Sequence, residues 1–559
     1  MSKRKDDPAN FLAGLFATGQ QLAQAMDPRS VNAPVVPVDL AEQVADWQRR
    51  WVESVSAFEL GARGKTAVQD GADKRFAAEA WRKDPRYAAL STAYQTYSDF
   101  VQKSVEMMPA DDRTKAQMRF GTRQIIDAIS PGNFFFTNPE AVKLAFDTNG
   151  RSVIEGAALF MQDLAKGRVS MSDERAFRVG ENLATTSGTV VYQNPLFQLI
   201  QYQPMTPEVY GRPLLIIPPC INKFYILDLQ SENSFVRHAV EQGHTVFMVS
   251  WRNITAKLQN TTWDDYLERG VLQAIDVARE ITGAEQVNAL GFCIGGTLLA
   301  SALGVLAGNA EPKVASMTLL TTMLDFSDTG ELGQIVTEDW VRQLETTIGK
   351  GGLLKGKDLG FIFSSLRAND LIWQYVTNSY LKGKAPPAFD MLFWNADSSN
   401  LPGPMVCWYL RNTYLENNLR KPGRTAQCGI PLDLSDVNVP AYLYASREDH
   451  IVPWSTAYGS RRCLGGETTF VLGASGHIAG VVNPAKKNKR NYWLDGPNSD
   501  NAEGWLAGAR SVPGSWWPHW SAWLERHAGE RVPAPAHAGS EKYGAIEPAP
   551  GSYVMEPAE

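Results

Sequence analysis

The chain has 559 residues and a formal net charge of −6, with 44% hydrophobic and 20% charged residues. This length predicts more than one domain, or one large domain with additions, and the composition is that of a globular protein. No nucleic-acid-binding motif is present, and no continuous apolar run reaches the roughly 18 residues that a membrane span needs. We therefore expect neither a nucleic-acid partner nor a membrane span.

The first residues combine basic side chains with an apolar stretch, which faintly resembles a signal peptide. Acidic and proline residues at 6–8 and glutamines at 20–21 interrupt that pattern, so we do not expect export. The apolar positions instead fall near one face of a helix, which would either dock on the rest of the protein or adsorb to a hydrophobic surface. These positions are Phe11, Leu15, Leu22 and Met26.

Residues 1–174 are predicted to form a mostly helical N-terminal domain. Apolar residues recur at helical spacing around Trp47 and Trp81. Turn residues occur at 130–133 and 137–140, and the second turn predicts the start of a helix. No grouping of catalytic residue types falls in this part of the sequence.

Residues 175–559 show strand–helix alternation, which predicts a parallel sheet covered by helices on both faces. Helical patterns at 266–281 and 298–306 lie between the strand-like runs. The runs are residues 214–217, 245–250, 287–292, 315–320, 441–445 and 469–472.

Two stretches depart from this alternation. An insert at about 325–436 is rich in aromatic residues and too long for a simple loop. We interpret it as a lid over the active site, with the core of a subdomain as the alternative. Tryptophans between Trp505 and Trp523 indicate a final helical region, and a Pro/Ala-rich tail from about residue 531 is predicted to be extended or loosely attached.

The cysteines are odd in number and lack paired spacing, which argues against a disulfide scaffold and a zinc site. We expect a reducing compartment and no metal. The five residues are Cys220, Cys293, Cys407, Cys428 and Cys463.

Residues 291–296 (Gly-Phe-Cys-Ile-Gly-Gly) are the most informative part of the sequence. They lie between a strand-like run and a helix-like run, and small residues flank one reactive side chain. This pattern is typical of a nucleophile elbow, in which the backbone turns so sharply that glycine is needed beside the nucleophile. The elbow predicts an α/β-hydrolase fold with Cys293 as its nucleophile, in the position that serine usually holds.

An elbow of this kind predicts an acid and then a histidine later in the chain, each after a strand. Asp449 and His477 meet both conditions. His477 would take the thiol proton, and Asp449 would either orient His477 or act on the substrate. Glu448 is the alternative acid, and we interpret His450 as a structural hydrogen-bonding residue.

The oxyanion hole needs two backbone N–H groups. One is predicted at Ile294, directly after the nucleophile. The other should come from the loop at 218–223, where the two prolines have no N–H and Cys220, Ile221 or Asn222 remain. We favour Ile221. Cys220 lacks an elbow and is not expected to act as a second nucleophile.

Cysteine in an elbow favours acyl transfer from a thioester to an alcohol. Passing an acyl group from a thioester to an enzyme thiol exchanges one thioester for another, and a hydroxyl acceptor then gives an oxyester in a downhill step. Hydrolysis would need water at the acyl-enzyme, which an aromatic lid would hinder.

From about Asp73 to the C-terminus the chain resembles the class I polyhydroxyalkanoate synthases, which make bacterial storage polyesters. The motifs that carry the resemblance are residues 75–81, 218–228, 291–296, 393–397, 400–404, 446–454, 473–480 and 545–551.

The resemblance implies polymerisation of (R)-3-hydroxyacyl-CoA, with short-chain units such as 3-hydroxybutyryl-CoA, and release of CoA. CoA belongs to the substrate, so no cofactor is implied. The family's nucleophile, base and acid fall on Cys293, His477 and Asp449, and the aspartate is usually assigned to activating the 3-hydroxyl of the incoming unit. A homodimer in the cytoplasm, on polyester granules and near granule-associated proteins, is also implied.

Two other hypotheses remain open from the residues. A thiol-dependent hydrolase on the same fold would act on small esters or lactones and would accumulate no polymer. A catalytically silent granule-binding protein would show no dependence on Cys293.

Overall fold

The computed structural model describes Arg49 and residues 73–558. The chain folds into two compact units: a helical unit that runs to Asp173 and includes Ile362–Pro387, and a sheet unit of Glu174–Phe361 and Ala388–Glu559. The predicted amphipathic helix at 11–26 and the apolar spacing around Trp47 lie outside the described residues.

Within the described residues, the α-helices of four residues or more are numbered in chain order. They are α1 (Glu79–Lys83), α2 (Pro85–Glu106), α3 (Asp112–Ala128), α4 (Pro139–Asp147), α5 (Arg151–Lys166), α6 (Phe235–Glu241), α7 (Gln273–Thr282), α8 (Ile294–Gly308), α9 (Leu332–Ile335), α10 (Glu338–Thr347), α11 (Gly356–Leu366), α12 (Asp390–Asn395), α13 (Gly403–Leu410), α14 (Trp454–Ser460), α15 (His477–Val481), α16 (Ala502–Gly508) and α17 (Trp517–Glu525).

Side-chain caps set the helix starts in the helical unit. The carboxylate of Asp84 accepts a hydrogen bond from the Arg86 N–H, and Pro85 occupies the first turn of α2. Asn138 caps α4 in the same way through the N–H groups of Glu140 and Ala141, which confirms the helix start predicted there.

The segment Ile362–Pro387 packs within the helical unit although it lies far away in sequence. The hydroxyl of Tyr380 donates to Asp163 at 2.8 Å. Lys382 forms an ion pair with Glu140 at 2.9 Å. Part of the aromatic insert therefore belongs to the helical unit.

The sheet unit is built on one mixed sheet. Eleven strands of the described chain form it in the order β11-β10-β9-β8-β7-β6-β4-β5-β2-β1-β13, and β3 pairs separately with β12. The strands of these two sheets are β1 (Gly188–Gln193), β2 (Phe197–Tyr202), β3 (Glu208–Tyr210), β4 (Leu214–Ile217), β5 (Val246–Trp251), β6 (Val287–Phe292), β7 (Val314–Leu320), β8 (Ala441–Ser446), β9 (Thr468–Gly473), β10 (Asn491–Leu494), β11 (Arg510–Pro513), β12 (Arg531–Pro533) and β13 (Glu547–Pro548).

The six central strands, β4 to β9, are parallel and correspond to the six predicted runs. Every residue of β4, β5, β6 and β8 is buried, as expected for strands covered on both faces. The predicted helix at 266–281 begins as a π-helical segment, Tyr266–Leu272, and continues as α7.

One face of the sheet is covered by α6 and the tryptophan-rich α17. Phe235 packs against Trp517 and Trp520 with ring centroids 5.2 and 4.7 Å apart. The final helical region predicted from the tryptophans is confirmed as α17, and its tryptophans are buried.

The tail after residue 531 is extended and hydrogen-bonded to the sheet unit, so the alternative of loose attachment is wrong. β12 pairs antiparallel with β3, and β13 adds an edge strand to β1. Among the described residues, none of the helices combines the length and the apolarity that crossing a membrane requires.

Candidate active site

Cys293 lies at the sharp turn between β6 and α8. Its backbone has φ 53° and ψ −126°, a conformation that a non-glycine residue rarely adopts. The surroundings hold it there, because the Cys293 N–H donates to the carbonyl of Leu320 at 2.9 Å and the Thr322 hydroxyl donates to the Cys293 carbonyl at 3.1 Å. The turn presents the sulfur at the carboxyl end of the central strand, with the residue half-buried.

The elbow depends on glycine for close approach. A side chain on Gly291 would overlap the backbone of Gly296 on the other side of the turn. A side chain on Gly295 would overlap the carbonyl groups of Ile217 and Pro218, where the strand β4 ends. The first turn of α8 therefore packs directly on the start of the 218–223 loop.

The structure brings Asp449 and His477 together. Nδ1 of His477 and Oδ2 of Asp449 are 2.7 Å apart, and the Asp449 side chain is fully buried. Oδ1 of Asp449 accepts the N–H groups of Ile451 and Val452 at 2.8 and 2.9 Å, which fixes the carboxylate. Glu448, the alternative acid, is exposed.

His477 is buried at the start of α15 beside the elbow. Its ring stacks on Phe292, the residue before Cys293, with centroids 5.7 Å apart. Burial disfavours the protonated ring, but the Asp449 carboxylate and the sulfur of Cys293 outweigh it and raise the pKa of His477 to about 10. The arrangement therefore favours an imidazolium facing Cys293.

The loop at 218–223 follows β4, which is the neighbour of β6 in the sheet. Ile217 lies opposite Gly291 in that pairing. Ile294 is the first residue of α8, where a backbone N–H has no partner within the helix. The carbonyl of Ile221 accepts the Ser399 N–H at 2.7 Å, which ties the loop to the insert.

The other four cysteines differ from Cys293 in their surroundings. Burial raises the pKa of Cys407 to about 11 and those of Cys428 and Cys463 to about 12. Burial also raises the pKa of Cys220, which is 2% exposed. All five cysteines lie in the described part of the chain and are free.

Two tyrosines of the insert contribute to the surroundings of Cys293, and sequence reasoning did not single them out. Burial of the hydroxyl, followed by the charge of Cys293, raises the pKa of Tyr414. Burial also raises the pKa of Tyr409. The ring centroids of Tyr409 and Tyr414 are 5.8 Å apart. Their spacing matches an ordinary aromatic core, so no sequence signal separates them from the other aromatic residues.

The fold and the elbow together define an α/β-hydrolase-type enzyme. In agreement, residues 213–484 match the family model described as "alpha/beta hydrolase fold". Residues 72–239 match the model "Poly-beta-hydroxybutyrate polymerase (PhaC) N-terminus". Among solved structures, an esterase from Exiguobacterium antarcticum is 15% identical with a TM-score of 0.30, covering 52% of this chain and 92% of that one.

Relatives with assigned names identify the family. The poly(3-hydroxyalkanoate) polymerase subunit PhaC of Cupriavidus necator is 51% identical over 92% of this chain and 88% of its own length. The protein of the same name from Rhizobium meliloti is 42% identical over 87% of this chain and 81% of its own length. The chain belongs to the poly(3-hydroxyalkanoate) polymerase family, and it is an acyl-transferring enzyme of polyester synthesis.

Proposed function

We propose that this enzyme polymerises short-chain (R)-3-hydroxyacyl-CoA, such as 3-hydroxybutyryl-CoA, through an acyl-enzyme on Cys293. The observation that carries the proposal is the contact between Asp449 and His477, directly beside an elbow whose nucleophile is a thiol. The short chain length rests on the resemblance to the class I synthases alone.

Before acylation, the proton of the Cys293 thiol resides on His477, and the Cys293 sulfur attacks the thioester carbonyl carbon as a thiolate. The negative charge on the carbonyl oxygen is met by the N–H groups of Ile294 and Ile221. The bond to the CoA sulfur then breaks, and CoA leaves with the proton that His477 held. One thioester has replaced another, so the step is close to energetic balance.

In the elongation step, the 3-hydroxyl of a second 3-hydroxyacyl-CoA attacks the carbonyl carbon of the Cys293 thioester. His477 takes the hydroxyl proton, an oxyester bond forms, and the sulfur of Cys293 leaves as a thiolate beside the protonated His477. The lengthened chain is still a CoA thioester, so it can acylate Cys293 again and release CoA.

We assign Asp449 to act through His477. One carboxylate oxygen contacts the ring and the other accepts two backbone N–H groups, so both oxygens are engaged by the protein. The carboxylate stabilises the imidazolium that forms when His477 takes a proton. An alcohol is a weaker acid than a thiol, so elongation depends on this stabilisation more than acylation does.

We extend the proposal to the enzyme's location and assembly. The family resemblance supports a homodimer in the cytoplasm, at the surface of polyester granules, in contact with granule-associated proteins. Sedimentation of the purified enzyme and its recovery with isolated granules test these two points separately.

The proposed reaction is tested by incubating the purified enzyme with 3-hydroxyacyl-CoAs of several chain lengths while following both CoA and polymer. We expect CoA release with insoluble polymer, and fastest turnover with units of about three to five carbons. Soluble 3-hydroxy acid as the only product would identify a thiol-dependent hydrolase and contradict the proposal.

A further inference from the structure

A segment of the tail, residues 547–557, runs across the sheet unit from its edge to the loop that follows β4. We call it the strap. Its first residues form β13, and hydrogen bonds flank this strand: the Ile546 N–H donates to Val190 and the Ala549 N–H to Gly188, at 2.8 and 2.9 Å. The strap therefore has a defined register on the outer strand of the sheet.

The middle of the strap is held by a buried glutamine of β2. Gln198 has no exposed surface, and its side-chain N–H donates to the hydroxyl of Ser552 at 3.1 Å. Its side-chain oxygen accepts the Tyr553 N–H at 3.1 Å. Val554 is also buried, as part of the main hydrophobic core. Buried hydrogen bonds and apolar packing therefore hold the middle of the strap in place, in addition to any surface charge.

The far end of the strap contacts the 218–223 loop through a buried lysine. Nζ of Lys223 donates to the backbone carbonyl of Glu556 at 2.6 Å, and Lys223 is 2% exposed. Burial lowers the pKa of Lys223, against the opposing charges of Asp397 and Glu556. A buried ammonium group without a partner is costly, so the strap carbonyl supplies a contact that Lys223 needs in order to stay inside.

Two neighbouring residues at the end of β5 hold the same part of the strap. Nε and Nη2 of Arg252 donate to Oε1 of Glu556 at 2.9 and 2.8 Å, and Nε also donates to Oε2 at 3.1 Å. The Arg252 guanidinium lies 4.4 Å from the centroid of the Tyr553 ring. The side chain of Asn253 donates to the Pro557 carbonyl at 2.8 Å. Paired contacts between arginine and carboxylate define orientation as well as distance.

The loop is held by the insert on its other side. The indole N–H of Trp394 donates to the carbonyl of Lys223 at 2.7 Å, and the Ser399 N–H donates to the carbonyl of Ile221. The loop that carries the proposed oxyanion donor thus lies between the insert and the strap. An oxyanion hole must hold its donors within a few tenths of an ångström, so support on both sides matters for rate.

We propose that the strap is a positioning element of the oxyanion loop, with Lys223 and Glu556 as its positioning residues. The inference rests on the proposed function, because it assumes that Ile221 stabilises the oxyanion of acylation. Neither residue touches the reacting atoms. Their effect is to keep the Ile221 N–H directed at the position that the oxyanion occupies.

The test compares two reactions of the same sulfur in the full-length enzyme. Acylation of Cys293 by 3-hydroxybutyryl-CoA develops an oxyanion, whereas alkylation by iodoacetamide displaces iodide from carbon and develops none. In Lys223→Met we expect the single-turnover acylation rate at saturating substrate to fall about 10- to 100-fold, somewhat less than the cost of losing an oxyanion donor outright. The rate of alkylation, followed on the Cys293 peptide by mass spectrometry, should stay within about two-fold, because that reaction needs the nucleophile alone.

Glu556→Gln provides a milder variant, because it keeps the backbone carbonyl that Lys223 uses and removes the ion pair with Arg252. We expect a smaller fall in acylation, about three- to ten-fold, again without loss of alkylation. Lys542→Met is the matched control: Lys542 lies in the same tail but pairs with the exposed side chain of Glu280, away from the loop. It should match the unaltered enzyme in both reactions.

The outcomes separate the possibilities. Acylation and alkylation that fall together would mean that the strap supports the whole site, and unchanged acylation would mean that it supports none of it; either result overturns the inference. An effect on substrate affinity with an unchanged saturated rate also overturns it. If the unaltered enzyme is not acylated at Cys293 at all, the proposed function itself fails.

Discussion

The two units of this protein differ in which side chains they bury and which they expose. In the sheet unit, the polar groups of the site meet at the carboxyl ends of buried parallel strands, where Asp449 and His477 are almost fully enclosed. In the helical unit, large apolar side chains lie on the surface: Phe136, Phe146 and Ile154 are 85, 79 and 73% exposed. The comparison indicates that the candidate catalytic residues are confined to the strand ends of the sheet unit, whereas the helical unit exposes an apolar surface. Substitutions in the two units should therefore have very different effects.

The largest effect is expected from removing the proposed nucleophile or its proposed base. Cys293→Ala and His477→Ala should abolish acyl-enzyme formation, with losses of up to about 10⁶-fold. In a catalytic triad, removing either the nucleophile or the base costs about as much activity as removing all three residues. CoA release from 3-hydroxybutyryl-CoA measures this. Cys428→Ala and His537→Ala, outside the site, are the controls and should keep their activity. Undiminished CoA release by Cys293→Ala would show that the nucleophile is a residue other than Cys293.

Asp449→Asn should affect acylation and elongation to different extents. We expect acylation to persist within about ten-fold, because a thiol loses its proton easily, while elongation falls about 10²- to 10⁴-fold without the carboxylate behind the base. Single-turnover acylation and polymer length report the two steps. Glu448→Gln, on the exposed neighbour, is the matched control and should affect neither. Normal elongation by Asp449→Asn would refute the role assigned to Asp449.

A smaller effect concerns stability and pH. The pKa of His477 is raised from 6.5 to about 10 in the folded protein. A raised pKa contributes stability that is complete below the unfolded value and is lost as the pH rises through the folded value. Urea unfolding between pH 6.5 and 10 should therefore show the unaltered protein losing more stability than His477→Gln. If the free energy of unfolding changed with pH in the same way for both proteins, the raised pKa of His477 would be contradicted.

The smallest effect is expected in the helical unit. Phe146→Ser removes one of its most exposed apolar side chains, and surface substitutions away from special features usually change stability by less than about 0.5 kcal/mol. The acylation rate should stay within about two-fold of the unaltered enzyme. A large loss of acylation in this variant would show that the chemistry is not confined to the sheet unit.

The central sheet could be predicted because buried parallel strands are continuous apolar runs. The outer strands β1 and β2 were not predicted, since polar residues such as Gln198 and Gln201 interrupt β2, and these residues are buried by contacts that form only in the folded chain. The order of Cys293, Asp449 and His477 predicted the contact between the last two. The links from Lys223 to Glu556 and from Ile221 to Ser399 join residues more than a hundred positions apart, and no local pattern encodes them.

The central claim is that the growing chain is attached to Cys293. Mass spectrometry of the enzyme quenched during turnover of (R)-3-hydroxybutyryl-CoA tests it most directly. The peptide that contains Cys293 should carry a thioester-linked adduct of one or more 3-hydroxybutyryl units, which hydroxylamine removes. Continued release of CoA with an unmodified Cys293 peptide, or with the adduct on another residue, would contradict the account.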